Sequence, residues 1–139
     1  MFKKILVATD GSENAMRAVK AGKEIADRFE AEITLVYAAY VPSMYDDDLR
    51  PEIRDALRTD GRKILDSAVH LFSGSGVEPE TKLLFDEKAE DGILRLLESD
   101  EYDLVIIGSR GLDATQRKAL GSTSMRVLEK SKCPILIVH

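Results

Sequence analysis

The chain has 139 residues, 44% hydrophobic and 32% charged, with 20 Lys and Arg against 25 Asp and Glu for a formal net charge of -5. That size and composition predict one globular domain over residues 1–139 that folds without staples, and exclude a disordered or membrane-spanning chain. The acidic balance argues against a broad nucleic-acid-binding face, yet leaves room for a small phosphorylated ligand held by backbone amides.

Met1-Phe2-Lys3-Lys4 leads into the apolar run Ile5-Leu6-Val7-Ala8, which meets Thr9-Asp10-Gly11 too early for a secretory signal. This run is the first predicted strand. Ala15, Ala18, Val19, Gly22, Ile25, Ala26 and Phe29 then recur at helical spacing, with Ser12 as the N-cap. The second strand is Ile33-Thr34-Leu35-Val36-Tyr37-Ala38. Residues 40–50, with Pro42 and Asp46-Asp47-Asp48, read as a solvated loop whose acidic triplet suits the approach to a helix N-terminus.

Pro51 opens a second helix with a stripe of Ile53, Leu57, Ile64, Ala68 and Leu71. Ser73-Gly74-Ser75-Gly76 is a flexible connector. Val77 to Leu84 alternates in polarity and carries Pro79, which places this third strand at a sheet edge. Ala89, Ile93, Leu96 and Leu97 mark a third helix, and Leu104-Val105-Ile106-Ile107 a fourth strand. Leu120, Ser124, Val127, Leu128 and Ser131 mark a fourth helix, which stops before Pro134 and the last run, Ile135-Leu136-Ile137-Val138. The first, fourth and fifth runs are continuously apolar and suit strands buried on both faces. Cys133 is the single cysteine, which rules out an intramolecular disulfide and fits a reducing cytoplasm.

Strands alternating with helices predict an α/β fold: one doubly wound, five-stranded parallel sheet of order 3-2-1-4-5 with helices on both faces, Rossmann-like. In such sheets ligands bind beyond the carboxyl ends of the strands, where the winding reverses. The residues to inspect are therefore Thr9-Asp10-Gly11-Ser12 after the first strand and Gly108-Ser109-Arg110-Gly111 after the fourth. Gly121-Ser122-Thr123-Ser124 opens the last helix, where free amides and the positive dipole end suit phosphate.

The spacing Gly108-x2-Gly111-x9-Gly121-Ser122 resembles the nucleotide-binding signature of the universal stress protein family, in its ATP-binding branch. The opening Lys3 to Ser12, Leu35-Val36-Tyr37-Ala38, Tyr102 to Gly108, and Lys132-Cys133-Pro134-Ile135-Leu136-Ile137-Val138 belong to the same resemblance, which spans nearly the whole chain. It implies that Asp10 contacts the nucleotide or its divalent metal, Mg2+ or Mn2+, with Thr9 and the backbone of Ala8 lining the adenine and ribose side. Ala38 would touch adenine through its backbone, at a position where the family more often has valine. Gly108 and Gly111 would border the ribose and α-phosphate, while Gly121, Ser122, Thr123 and Ser124 cradle the phosphates. Arg110 is read either as a counter-charge to the phosphates or as an exposed loop residue, and Ser109 lies in the same loop.

The function this resemblance implies is a cytoplasmic ATP-binding stress-response module that changes state with nucleotide occupancy. A slow ATP hydrolase is the alternative. No general base stands out beside the glycine loop and the Walker-type lysine is absent, so binding is preferred to turnover. A phosphorelay receiver is rejected: only Asp86 favours it, and there is no acidic pair after the first strand. The resemblance further implies a homodimer through Ile135 to Val138, an apolar run that must be covered if it forms a sheet edge.

Overall fold

The computed structural model describes residues 2–39, 51–85, 87–110 and 120–139. The loop expected over residues 40–50, the loop glycine Gly111 and Asp86 lie outside the described residues. β1 (Lys4–Ala8) has a fully buried centre of Ile5, Leu6 and Val7, whose side chains alternate between the two faces of the sheet. Both faces therefore require a cover of helices. α1 (Glu13–Phe29) begins where predicted: the Ser12 hydroxyl accepts the Ala15 N–H at 3.1 Å, and the helix ends at Glu30 in the left-handed conformation.

β2 (Glu32–Ala39), α2 (Pro51–His70), β3 (Glu80–Phe85), α3 (Ala89–Ser99), β4 (Leu104–Gly108), α4 (Ser122–Lys130) and β5 (Ile135–Val138) follow. The strands lie in the order β3-β2-β1-β4-β5, and every pairing is parallel. That is the expected doubly wound sheet, with β3 at an edge. β3 begins at Glu80, not Val77, because Pro79 has no N–H to donate and the ladder with β2 starts only past it.

Two cores flank the sheet. On one face Val7, Ile33, Leu35 and Ile106 pack against Ala18, Val19 and Ala26 of α1 and Leu65 and Ala68 of α2. On the other, Leu6, Val36, Val105 and Ile107 pack against Ile93 and Leu96 of α3 and Val127 of α4. At the amino end of the central seam, the N–H groups of Lys3 and Lys4 donate to the Asp103 carboxylate at 2.7 and 3.1 Å.

Three sequence expectations are corrected. The buried line of α2 runs through Gly61, Leu65 and Ala68, while Ile53 is exposed, so the stripe was placed partly on the wrong face. Leu128 of α4 also points to solvent, and Ser131 is the C-cap of that helix. β5 is not buried on both faces: it pairs only with β4, and Leu136 stays 36% exposed. Among the described residues no helix is long and apolar enough to cross a membrane.

Candidate functional site

The winding reverses at β1 and β4, which are neighbours in the sheet although their connecting helices turn to opposite faces. Their carboxyl ends open a crevice of the kind that holds ligands in such folds. One wall is the turn after β1. The Thr9 N–H donates to Val36 O at 2.9 Å, and its buried side-chain hydroxyl accepts the Gly11 N–H at 3.2 Å. Asp10 Oδ1 accepts the Ser12 N–H at 2.9 Å, so this carboxylate shapes the approach to α1. Gly11 has φ of 81°, a conformation that glycine adopts without strain.

Tyr37 belongs to this wall and was not singled out from the sequence. Its hydroxyl is held above the ordinary tyrosine value by burial first, then by the negative charges of Asp10 and Asp60. α2 reaches it through Gly61, where even a Cβ would lie 3.1 Å from the tyrosine ring. The only sequence signal was an aromatic residue near the carboxyl end of an apolar strand, and that is equally the mark of a core residue.

The other wall is the chain leaving β4. The Ser109 N–H donates to Val138 O at 2.8 Å and its carbonyl accepts the Gly121 N–H at 2.6 Å, which ties this wall to the start of α4. Ser109 is itself buried, so its main chain does this work, whereas Arg110 is exposed. The Ser124 hydroxyl donates to Gly108 O at 2.6 Å. Gly108 is required by its neighbour: a Cβ there would sit 2.5 Å from Asn14 Oδ1.

Asn14, buried in the first turn of α1, is the second residue that sequence reasoning missed. Its Oδ1 accepts the Arg110 N–H at 2.7 Å and its Nδ2 donates to Val138 O at 3.0 Å. An asparagine in an amphipathic helix reads as a surface residue until the fold brings these distant groups beside it.

α4 starts without a side-chain cap, since its N-cap residue is Gly121; the first helical bond runs from the Met125 N–H to Gly121 O at 3.0 Å. Ser122 is exposed, and the Thr123 hydroxyl donates to Glu90 Oε2 at 3.4 Å. The hydroxyl proton of Ser124 is committed to Gly108. What this end offers an anion is therefore the first-turn amides and the positive end of the helix dipole. Ala8 and Ala38, at the carboxyl ends of β1 and β2, are half-buried against the α3/α4 core together with Ala89. Their methyl-sized side chains leave a low apolar floor. Thr9, Asp10, Gly108, Ser109, Arg110 and Gly121 to Ser124 are thus brought to one seam, with Ala38 one strand away. Among the described residues no group of three or more His, Cys, Asp or Glu side chains is placed to hold a metal by itself.

The model of the universal stress protein family matches residues 1–139. Universal stress protein YxiE of Bacillus subtilis is 32% identical over 153 aligned residues, with 100% of each chain covered. Among solved structures, universal stress protein UspA from Lactobacillus plantarum has the same fold, with a TM-score of 0.85 at 24% identity over 99% of this chain and 98% of that one. A universal stress protein in complex with cAMP matches with a TM-score of 0.77 and 26% identity, covering 99% of this chain and 97% of its own.

Proposed function

The chain belongs to the universal stress protein family, and from that premise we propose that it is an ATP-binding regulatory module that switches state with nucleotide occupancy. The observation that carries the reading is the uncapped first turn of α4, tied by Gly121 to Ser109 at the seam where the winding reverses. The solved relative that holds cAMP supports an adenine nucleotide as the ligand class.

In this reading Ala8, Thr9 and Ala38 line the adenine and ribose side, and Gly108, Ser109, Arg110 and Gly111 follow the sugar and first phosphate. The amides of Gly121, Ser122, Thr123 and Ser124 receive the outer phosphates. A divalent cation, Mg2+ or Mn2+, fits as an ion shared with the nucleotide. Asp10 would contribute one carboxylate and phosphate oxygens the rest, because among the described residues no group of three or more His, Cys, Asp or Glu would hold the metal alone. When bound, the ion supplies positive charge against the phosphates. Asp10 would hold it, and Arg110 would add a screened counter-charge.

Residues 1–139 act here as one cytoplasmic domain that binds and does not turn over its nucleotide. Its output passes through a homodimer built on β5, which is the edge strand among the described residues and carries exposed Leu136. The test is extraction of nucleotide from purified protein with mass analysis, followed by calorimetric titration of ATP with and without Mg2+. Bound or titratable ATP, weakened in Asp10→Ala chiefly when Mg2+ is present, is the expected result. Absence of ATP binding up to about millimolar refutes the reading, and metal-dependent ADP release abolished by Asp10→Ala would replace the switch with a hydrolase.

A further inference from the structure

We propose that Asn14 is the positioning residue of the nucleotide loop, an inference that rests on the ATP reading above. Asn14 is 8% exposed and sits in the first turn of α1, yet the two hydrogen bonds its side chain makes among the described residues both leave the helix. One goes to the Arg110 N–H, 96 positions away, and the other to Val138 O, 124 positions away. One site demands an acceptor and the other a donor, which an asparagine amide satisfies and which fixes its orientation.

The place of these bonds gives them their effect. Ser109 is the last residue after β4 whose N–H is held by β5, through Val138 O. The next amide, Arg110, has passed beyond the sheet and is held by Asn14 instead. Between those two amides lies the Ser109 carbonyl, the acceptor for the Gly121 N–H that starts α4. Asn14 therefore sets the peptide plane that sets the phosphate-binding turn, without facing the ligand. Gly108 leaves the space in which the amide lies. The same side chain joins this loop to the end of β5.

Two variants separate the two bonds. Asn14→Asp keeps an acceptor for the Arg110 N–H and places a carboxylate oxygen against Val138 O. Asn14→Leu gives up both partners. Both variants lose stability, the leucine by stranding the Arg110 N–H and the aspartate by setting an oxygen against Val138 O, but only the leucine releases the loop.

The experiment combines calorimetric titration of ATP with Mg2+, thermal melts, and hydrogen exchange resolved at the Arg110 amide, on the wild type and both variants. The expected result is an ATP affinity at least about tenfold weaker in Asn14→Leu and within about threefold of wild type in Asn14→Asp, despite similar falls in Tm. The Arg110 amide exchanges fast in Asn14→Leu and slowly in the other two. Unchanged affinity in Asn14→Leu overturns the proposal, as does an Asn14→Asp affinity that falls in step with Tm. A wild type that binds no ATP overturns the nucleotide reading and, with it, the role of Asn14 toward that ligand.

Discussion

Replacing Gly108 with alanine puts a methyl carbon 2.5 Å from Asn14 Oδ1 and 3.0 Å from its Cγ, inside any tolerable contact distance. Asn14 is buried and anchored at both ends, so it cannot withdraw without surrendering its bonds to Arg110 and Val138. A buried group left without its partner costs about 1–3 kcal/mol, so Gly108→Ala should cost about 2–5 kcal/mol of a total stability of about 5–15 kcal/mol. For a domain of this size that corresponds to a fall in Tm on the order of 10–20 °C. The assay is urea and thermal unfolding followed by circular dichroism, on wild type, Gly108→Ala, Asn14→Ala and the double variant. With Asn14 cut back, the nearest remaining neighbour of the new methyl is the Arg110 carbonyl at 3.3 Å, which a small shift accommodates. In that background Gly108→Ala should cost less than about 1 kcal/mol, leaving a coupling energy of at least about 1 kcal/mol. Equal costs in the two backgrounds would refute the assignment of this glycine to Asn14.

Tyr37 holds its proton more tightly in the folded chain than in the unfolded one, because burial and then Asp10 and Asp60 disfavour the phenolate. Its contribution to stability is therefore complete below the unfolded value of about 10 and is lost as pH rises through that value toward the higher folded one. Tyr37→Phe should flatten this alkaline decline, read as the urea midpoint between about pH 8 and about pH 12, and an unchanged slope would count against the account. Leu136→Glu places a charge on the exposed edge of the sheet and should convert a dimer to a monomer by light scattering after size exclusion. A variant with the mass of the wild-type assembly would move the interface elsewhere. Lys82 and Asp100 meet at 3.1 Å with about a third of each side chain exposed. Asp100→Ala should then cost under about 1 kcal/mol in urea unfolding, and a loss above about 2 kcal/mol would show that solvent screens the pair less than its exposure implies.

The alternation of elements, the sheet order and the edge position of β3 were legible because they rest on local signals: apolar runs, helical spacing and a proline that cannot join a ladder. β5 was misjudged on burial for a physical reason. An apolar β-branched run looks the same whether helices cover it or it waits for a partner at an edge. The α2 stripe slipped because Ile64 and Leu65 are both apolar, and only the fold decides that Leu65 enters the core while Ile64 packs beside Gly11. In the candidate site, the glycines and Asp10 announced themselves through turn chemistry. Asn14 did not, since its partners lie 96 and 124 positions away. Gly108 was noticed as an approach point for a ligand, whereas the neighbour that demands it is a side chain of the same protein.

The seam between β1 and β4 also has a meaning in time. It joins groups as far as 100 positions apart, as in the bond from the Lys3 N–H to Asp103. Closing so long a loop is slow compared with forming any single helix or the β1–β2 pair, so the crevice is a late product of folding. Its opening is correspondingly the step that parts β1, β2 and β3 from β4 and β5. A ligand bridging that seam would act as a clasp on this step, so that occupancy registers as a slower unfolding rate and a longer survival against protease.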